Sequence, residues 1–205
     1  MYRPPFTVVD DDAEIRSFVA EVGAGEVVTV GHDGFPRATR LPLVWRDDIL
    51  IGHLARANDH WREIAEGAPV LVIVDGFEGY VSPSWYASKY EHGRVVPTWN
   101  YESVQMRGRA RVIEDPEWLR EAVTVLTDTH ERRRPDPWEV ADAPERFVEG
   151  QLRGIVGLEI RIEDVAAKAK LSQNRSAADR DGVVDGLAAS DDPRDQALAE
   201  RMRRA

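Results

Sequence analysis

The stretch EVVTVGHDGFPRATRLPLVW, Glu26 to Trp45, decides the fold class. Val27, Val28, Thr29 and Val30 form a β-branched run of the kind that packs well on a pleated sheet. His32-Asp33-Gly34 supplies turn chemistry and a second strand follows it, so the stretch predicts a β-hairpin. Pro42 has no N–H to give a ladder, which makes the second strand an edge strand or an irregular one.

The same pattern continues outward. Upstream, DDDAEIRSFVAEVG spaces Ile15, Phe18, Val19 and Val22 as one face of a helix and stops at glycine. Downstream, ILIGHL reads as a third strand, and NDHWREIAEG as a helix capped by Asn58 or Asp59 and ended by Gly67. PVLVIVDGFEGYVS, TWNYESVQMRGRARVIED and GIVGLEIRIEDVAAKAKLSQN read as long strands, the second bent near Gly108. Between the first two of these, PSWYASKYEHGRVVP has no period and reads as a loop. PEWLREAVTVLTDTHERRR and PERFVEGQL read as helices. DRDGVVDGLAAS and DPRDQALAERMRR follow as terminal helices, the last polar enough to fray or to pack on a partner.

Six or so strands in antiparallel-compatible order, with no βαβ rhythm, no G-x-G-x-x-G after a strand and no P-loop, exclude the common nucleotide folds. The expected fold class is mainly β with helices (α+β), a small β-barrel with helical decoration. The expected division is residues 1–175 as the barrel domain and 176–205 as a C-terminal helical extension.

Of the 205 residues, 42% are hydrophobic and 31% charged, as in ordinary globular proteins. No apolar run approaches membrane-spanning length. MYRPPFTVVD lacks the apolar core of a secretion signal, so a cytoplasmic protein is expected. The chain has no cysteine, which removes disulfides, thiolate zinc sites and cysteine nucleophiles. A net charge of −10 makes direct DNA binding doubtful, because duplex binders present basic surfaces to phosphate. The basic cluster HERRRP, from His130, suits the negative end of a helix dipole.

Four stretches carry candidate chemistry. GHLARANDHW, Gly52 to Trp61, lies where a strand hands over to a helix. Exposed N–H groups there, with the planar donors of Arg56, suit an anion. Asn58 can cap the helix or bond a ligand, Trp61 reads as core, and His60 as an exposed helix residue. His53 and His60 are seven apart across a strand–helix corner, which matches no zinc spacing, so no metal site is expected. Arg40, on the preceding strand, would be a second anion ligand if the strands are neighbours. Trp99-Asn100-Tyr101 sets an amide between two rings, an arrangement that can stack on and edge-bond a planar heterocycle. Lys170, Ser172 and Gln173 gather donors that suit a polar ligand; a capped loop would also explain them. No Ser-His-Asp order, nucleophile elbow or carboxylate pair stands out, so no catalytic residue is named.

Read together, RLPLVW, GHLARANDHW, GYVSPSWY, VPTWNY, GIVGLEI, KLSQNR and DRDGVVDGL resemble the PaiB family, described as FMN-binding negative transcriptional regulators. The resemblance runs in order from residue 1 to about residue 190. It implies an FMN-binding split β-barrel, similar to pyridoxamine-phosphate oxidases, and a homodimer with cofactor clefts at the subunit interface. On that resemblance His53, Ala55, Arg56, Ala57 and Asn58 would hold the cofactor's phosphate end. Arg40, Leu41 and Pro42 would line it, and Trp99, Asn100, Lys170, Ser172 and Gln173 would approach from the other side. Where many members read Thr-His-Leu-Pro, this chain has Thr39-Arg40-Leu41-Pro42. The same family includes haem-dependent piperazate synthases, so the alternative cofactor is haem b with His53 as its ligand. The function implied is a cofactor-dependent sensor or regulator with a small-molecule signal, the alternative a haem or flavin enzyme.

Overall fold

A computed structural model describes residues 1–204. Eight strands and six α-helices follow in the order β1 (Val8–Val9), α1 (Asp12–Val22), β2 (Ala24–Val30), β3 (Pro36–Pro42), β4 (Val44–Arg46), β5 (Ile49–Ala55), β6 (Ala68–Val81), α2 (Ser88–Glu91), β7 (Thr98–Ile113), α3 (Pro116–Glu131), α4 (Glu145–Leu152), β8 (Ile155–Lys170), α5 (Ala177–Ala188) and α6 (Pro193–Arg204). Short 3-10 turns interrupt the loops. The chain forms two compact units, one of residues 16–74 with 105–165, the other of 1–15, 75–104 and 166–205. The strands β6, β7 and β8 run through both.

In the first of these units the strand order is β3-β2-β6-β7-β8-β5-β4. The hairpin forms as its sequence dictates, Val27 facing Thr39 and Val30 facing Pro36, with β3 at the end of the order where Pro42 is tolerated. The two ends of the order, β3 and β4, are separated only by Leu43, so the sheet curls back on itself as a barrel does. A Cβ at Gly52 of β5 would come 2.9 Å from Leu43 and 3.2 Å from the Pro42 carbonyl, a measure of how tightly that seam closes. Alternate residues turn Val27, Leu50, Leu54, Val72, Met106 and Leu158 into a dry interior. Outside, α3 and α4 bury Leu119, Val140, Val148 and Leu152. Trp118 lies against Gly157 of β8, where a Cβ would meet its ring at 2.2 Å.

In the other unit β1 adds antiparallel to the end of β8, Val8 facing Lys168. Leu171, Val183, Leu187, Leu198, Ala199 and Met202 form the core between α5, α6 and the strands. Trp85 fits the notch left by Gly182 and Gly186 on α5. The polar helix α6, expected to fray or to pack on a partner, instead docks within its own chain, because Leu198, Ala199 and Met202 recur on one face and bury completely.

Three further expectations change. NDHWREIAEG is not an α-helix but a 3-10 turn over Asp59–Glu63. Trp61 donates its indole N–H back to the Arg56 carbonyl at 2.9 Å, and Ile64 is already extended, so no room remains for helical bonds before β6. The strand count is eight rather than six or so, because β1 and β4 are too short to show a period. The aromatic loop after β6 contains a 3-10 turn, Pro83–Trp85, and the single helical turn α2. No helix among the described residues is long and apolar enough to cross a membrane.

Candidate functional site

The Gly52–Trp61 stretch reverses the roles expected of its two histidines. His60, expected to be exposed, is buried, and each ring nitrogen sits 2.8 Å from a threonine hydroxyl, Thr29 on one side and Thr39 on the other. Asn58 completes the cluster, donating to the Thr39 hydroxyl at 3.3 Å and accepting from the His60 backbone N–H at 3.1 Å. Burial pushes the His60 pKa down, against the nearby Glu63 carboxylate. His53 is half-buried on the opposite side of β5 from Leu50 and Leu54, paired with Gly157 and so on the face that carries Trp118. Its Nδ1 is buried without a hydrogen-bond partner, and burial lowers its pKa.

Two of the cations expected at the site, Arg56 and Arg40, are engaged. Arg56 bonds Glu114 at 2.5 Å and the carbonyls of Arg153 and Ile155 at 3.1 and 3.2 Å. A five-residue 3-10 turn also offers less aligned dipole than the helix start expected there. Arg40 is exposed on β3 and pairs with Glu26. Leu41 is buried in the barrel, Pro42 ends the strand, and Ala55 and Ala57 are exposed at the turn.

The remaining expected residues meet in the other unit. Trp99 is 47% exposed and donates to Glu78 at 3.0 Å. Asn100 faces the opposite way, fully buried, its amide bonded to the Ser172 hydroxyl at 3.0 Å and set against the Met202 sulfur. Ser172 takes a left-handed φ of 63°, and Gln173 closes the turn, accepting from the Leu171 N–H and donating to the Ala169 carbonyl, both at 2.7 Å. Lys170 donates to the Thr98 hydroxyl and, at 2.5 Å, to the Trp99 carbonyl.

Alternation along the strands then defines an open face. Gly79 of β6 turns toward Leu187 and Leu198, which leaves Glu78 and Tyr80 on the other side. By the same rule Trp99 and Tyr101 of β7, and Lys168 and Lys170 of β8, share that other side. Lys168 was not expected. Its ammonium donates to the Tyr101 hydroxyl at 2.7 Å and the Tyr2 carbonyl at 3.0 Å. The alternation Ala-Lys-Ala-Lys over 167–170 is the sequence signal that could have found it. Arg175 lies near, 4.6 Å over the Tyr86 ring. Burial, then Lys168 and Arg175, hold the Lys170 pKa below its ordinary value. None of these three cations forms a carboxylate ion pair among the described residues. Asp179, whose ionisation Arg175 favours, is taken up by the Ser88 N–H and hydroxyl at 2.9 and 2.8 Å.

Aromatic rings and lysines that form no carboxylate ion pair among the described residues thus share one face of these strands. Residues 1–164 match the family described as "Putative FMN-binding domain", and the chain belongs to that family. It is 38% identical over 206 residues to the protease synthase and sporulation protein PAI 2 of Bacillus subtilis (strain 168), covering 98% of this chain and 96% of that one, which establishes the PaiB relationship read from the motifs. Among solved structures, the FAD and heme binding protein from Mycobacterium smegmatis superposes with a TM-score of 0.61 at 21% identity, over 84% of this chain and 77% of that one. The flavocytochrome Anf3 from Azotobacter vinelandii gives 0.59 at 16%, over 96% and 78%. The fold is the split β-barrel.

Proposed function

We propose that this chain is an FMN-binding sensor or regulator that works as a homodimer, and that the open face of the unit containing Trp99 and Lys170 receives the cofactor. One observation carries the reading: Lys170 lies close to Lys168 and Arg175 and beside the exposed Trp99, and none of the three cations forms a carboxylate ion pair among the described residues. A phosphate dianion would offset that charge. Trp99 and Tyr101 offer faces to a flavin ring, and Asn100, Ser172 and Gln173 hold the turn that positions Lys170. FMN, when bound, supplies redox capacity; these residues bind and orient it. In the other unit Arg40 would first have to leave Glu26, and Arg56 to leave Glu114, before either could bind a phosphate.

The test is titration with FMN and with riboflavin, which lacks the phosphate, followed by flavin fluorescence. Lys170→Ala should weaken FMN about tenfold, the loss of one charge-assisted bond, and leave riboflavin nearly unchanged. Equal loss for both ligands, or none, refutes the phosphate assignment. Light scattering at micromolar concentration tests the dimer. A gel-shift at moderate salt tests direct DNA binding, and no specific retention would assign regulation to a small-molecule signal or a protein partner.

A second reading, a haem enzyme, has one observation in its favour. His53 is a neutral imidazole with a buried nitrogen that lacks a partner, the form that ligates iron. Haemin titration decides: a Soret band lost in His53→Ala supports it, and a band unchanged by that substitution refutes His53 as the ligand.

A further inference from the structure

A cleft with an apolar floor lies in the unit that contains α3 and α4. It encloses about 600 Å³, within the range of small-molecule sites. Pro116, Leu119 and Leu152 supply its floor, and the last two belong to the helical core beneath it. Its rim is charged, but the charges are not equivalent. Arg56 is tied to Glu114 and two carbonyls, and Arg120 pairs with Glu145 outside the cleft. Glu117 and Glu121, one helical turn apart on α3, and Glu149 on α4 form no ion pair among the described residues. Arg153 is the remaining cation of the rim. With Arg56 and Arg120 engaged, three carboxylates face one guanidinium around an apolar floor.

We infer that this cleft binds an organic cation with an apolar body, an aromatic or alkyl ammonium. The apolar part lies on Leu119 and Leu152, where its burial is favourable. The ammonium head sits between Glu117, Glu121 and Glu149, relieving the repulsion between like charges at i and i+4 on α3. An anionic ligand would meet those carboxylates and would have to draw Arg56 from Glu114. The inference does not rest on the proposed cofactor face.

The experiment is isothermal titration of the full-length protein with 2-(1-naphthyl)ethylammonium and, in parallel, with 3-(1-naphthyl)propanoate, an analogue of similar shape and opposite charge. The ammonium probe should bind saturably in the millimolar range or tighter and weaken with added salt. The double variant Glu117→Gln/Glu121→Gln, and separately Glu149→Gln, should each weaken it about tenfold. Both alter only exposed side chains, and circular dichroism confirms that they fold. Lys170→Ala should leave the affinity unchanged. No saturable heat with the ammonium, equal affinity in both glutamine variants, or equal or tighter binding of the carboxylate overturns the inference.

Discussion

Arg201→Met isolates what holds α6 in place. Arg201 reaches from α6 to Glu102 on β7, its Nε 2.8 and 2.9 Å from the two carboxylate oxygens. Glu102 is 3% exposed and the Arg201 side chain 25%. Methionine keeps the length and apolar contact of the arginine stem but removes the charge, so the buried carboxylate loses the two bonds from this guanidinium. Breaking a buried pair from one side costs about 3–5 kcal/mol. The low end applies here, about 3 kcal/mol, because a pair one-quarter open to water at its arginine was partly screened to begin with. For a chain of this size that is a Tm drop of roughly 6–12 °C. Urea unfolding and calorimetry measure it, with amide exchange across α6 as the local readout. Replacing both partners, Glu102→Leu with Arg201→Met, should recover most of the loss, since no charge is then left buried. A single-variant loss below about 1 kcal/mol, the range of exposed pairs, would refute the claim that this pair is a buried fastener. So would a double variant no more stable than the single one, which would assign the loss to packing.

Other substitutions test other joints. Gly157→Ala drives a methyl into the Trp118 ring, and an overpacked site of this kind should lose about 1–3 kcal/mol in urea unfolding. His53 and His60 both have folded pKa values below their unfolded one of 6.5, so their contribution is complete above that value and is lost as pH falls through the depressed folded values. Stability should therefore fall on acidification from neutral pH toward the weakly acidic range, and His53→Leu should flatten that slope in a Tm series. Asp179→Ala removes the acceptor of the Ser88 N–H and hydroxyl while keeping the backbone N–H that donates to the Ser176 cap, with an expected loss of about 2 kcal/mol. Because the Asp179 pKa is lowered, mainly by the Ser88 N–H, the wild-type advantage should be present above about pH 4 and fade as pH drops below it.

The elements legible in the sequence were those with a long period or a strong punctuation mark. The β2–β3 hairpin, α1, α3 and the three long strands each carry enough alternation or helical spacing to be read locally, and each forms. The elements that were not legible depend on distant partners. The strand β4 is three residues long and exists because β5 pairs with it, Val44 against Ile51. The Asp59–Glu63 turn has the composition of a helix, but the Trp61 bond to Arg56 and the short run to β6 leave it one turn long. Barrel closure depends on the single residue Leu43 between two strands at opposite ends of the order, which no local pattern announces.

For the candidate site, composition named the polar residues but could not say whether their donors were already taken. Arg56 and Lys170 read alike in sequence, as a cation beside amides and hydroxyls. The fold hands Arg56 a carboxylate and two carbonyls from the segment around Glu114 and Arg153, distant in sequence. It places Lys170 beside two other cations and gives it only neutral acceptors, the Thr98 hydroxyl and the Trp99 carbonyl. An arginine already neutralised gains little from a phosphate, because the incoming anion must displace one already bound. A lysine held below its ordinary pKa by burial and then by neighbouring cations gains the most, because the anion stabilises the charged form against both. Adding FMN phosphate should accordingly raise the Lys170 pKa toward its ordinary value, a shift visible in the NMR titration of a ¹⁵N- or ¹³C-labelled lysine. A Lys170 resonance unmoved by saturating FMN, with the flavin plainly bound, would place the phosphate elsewhere.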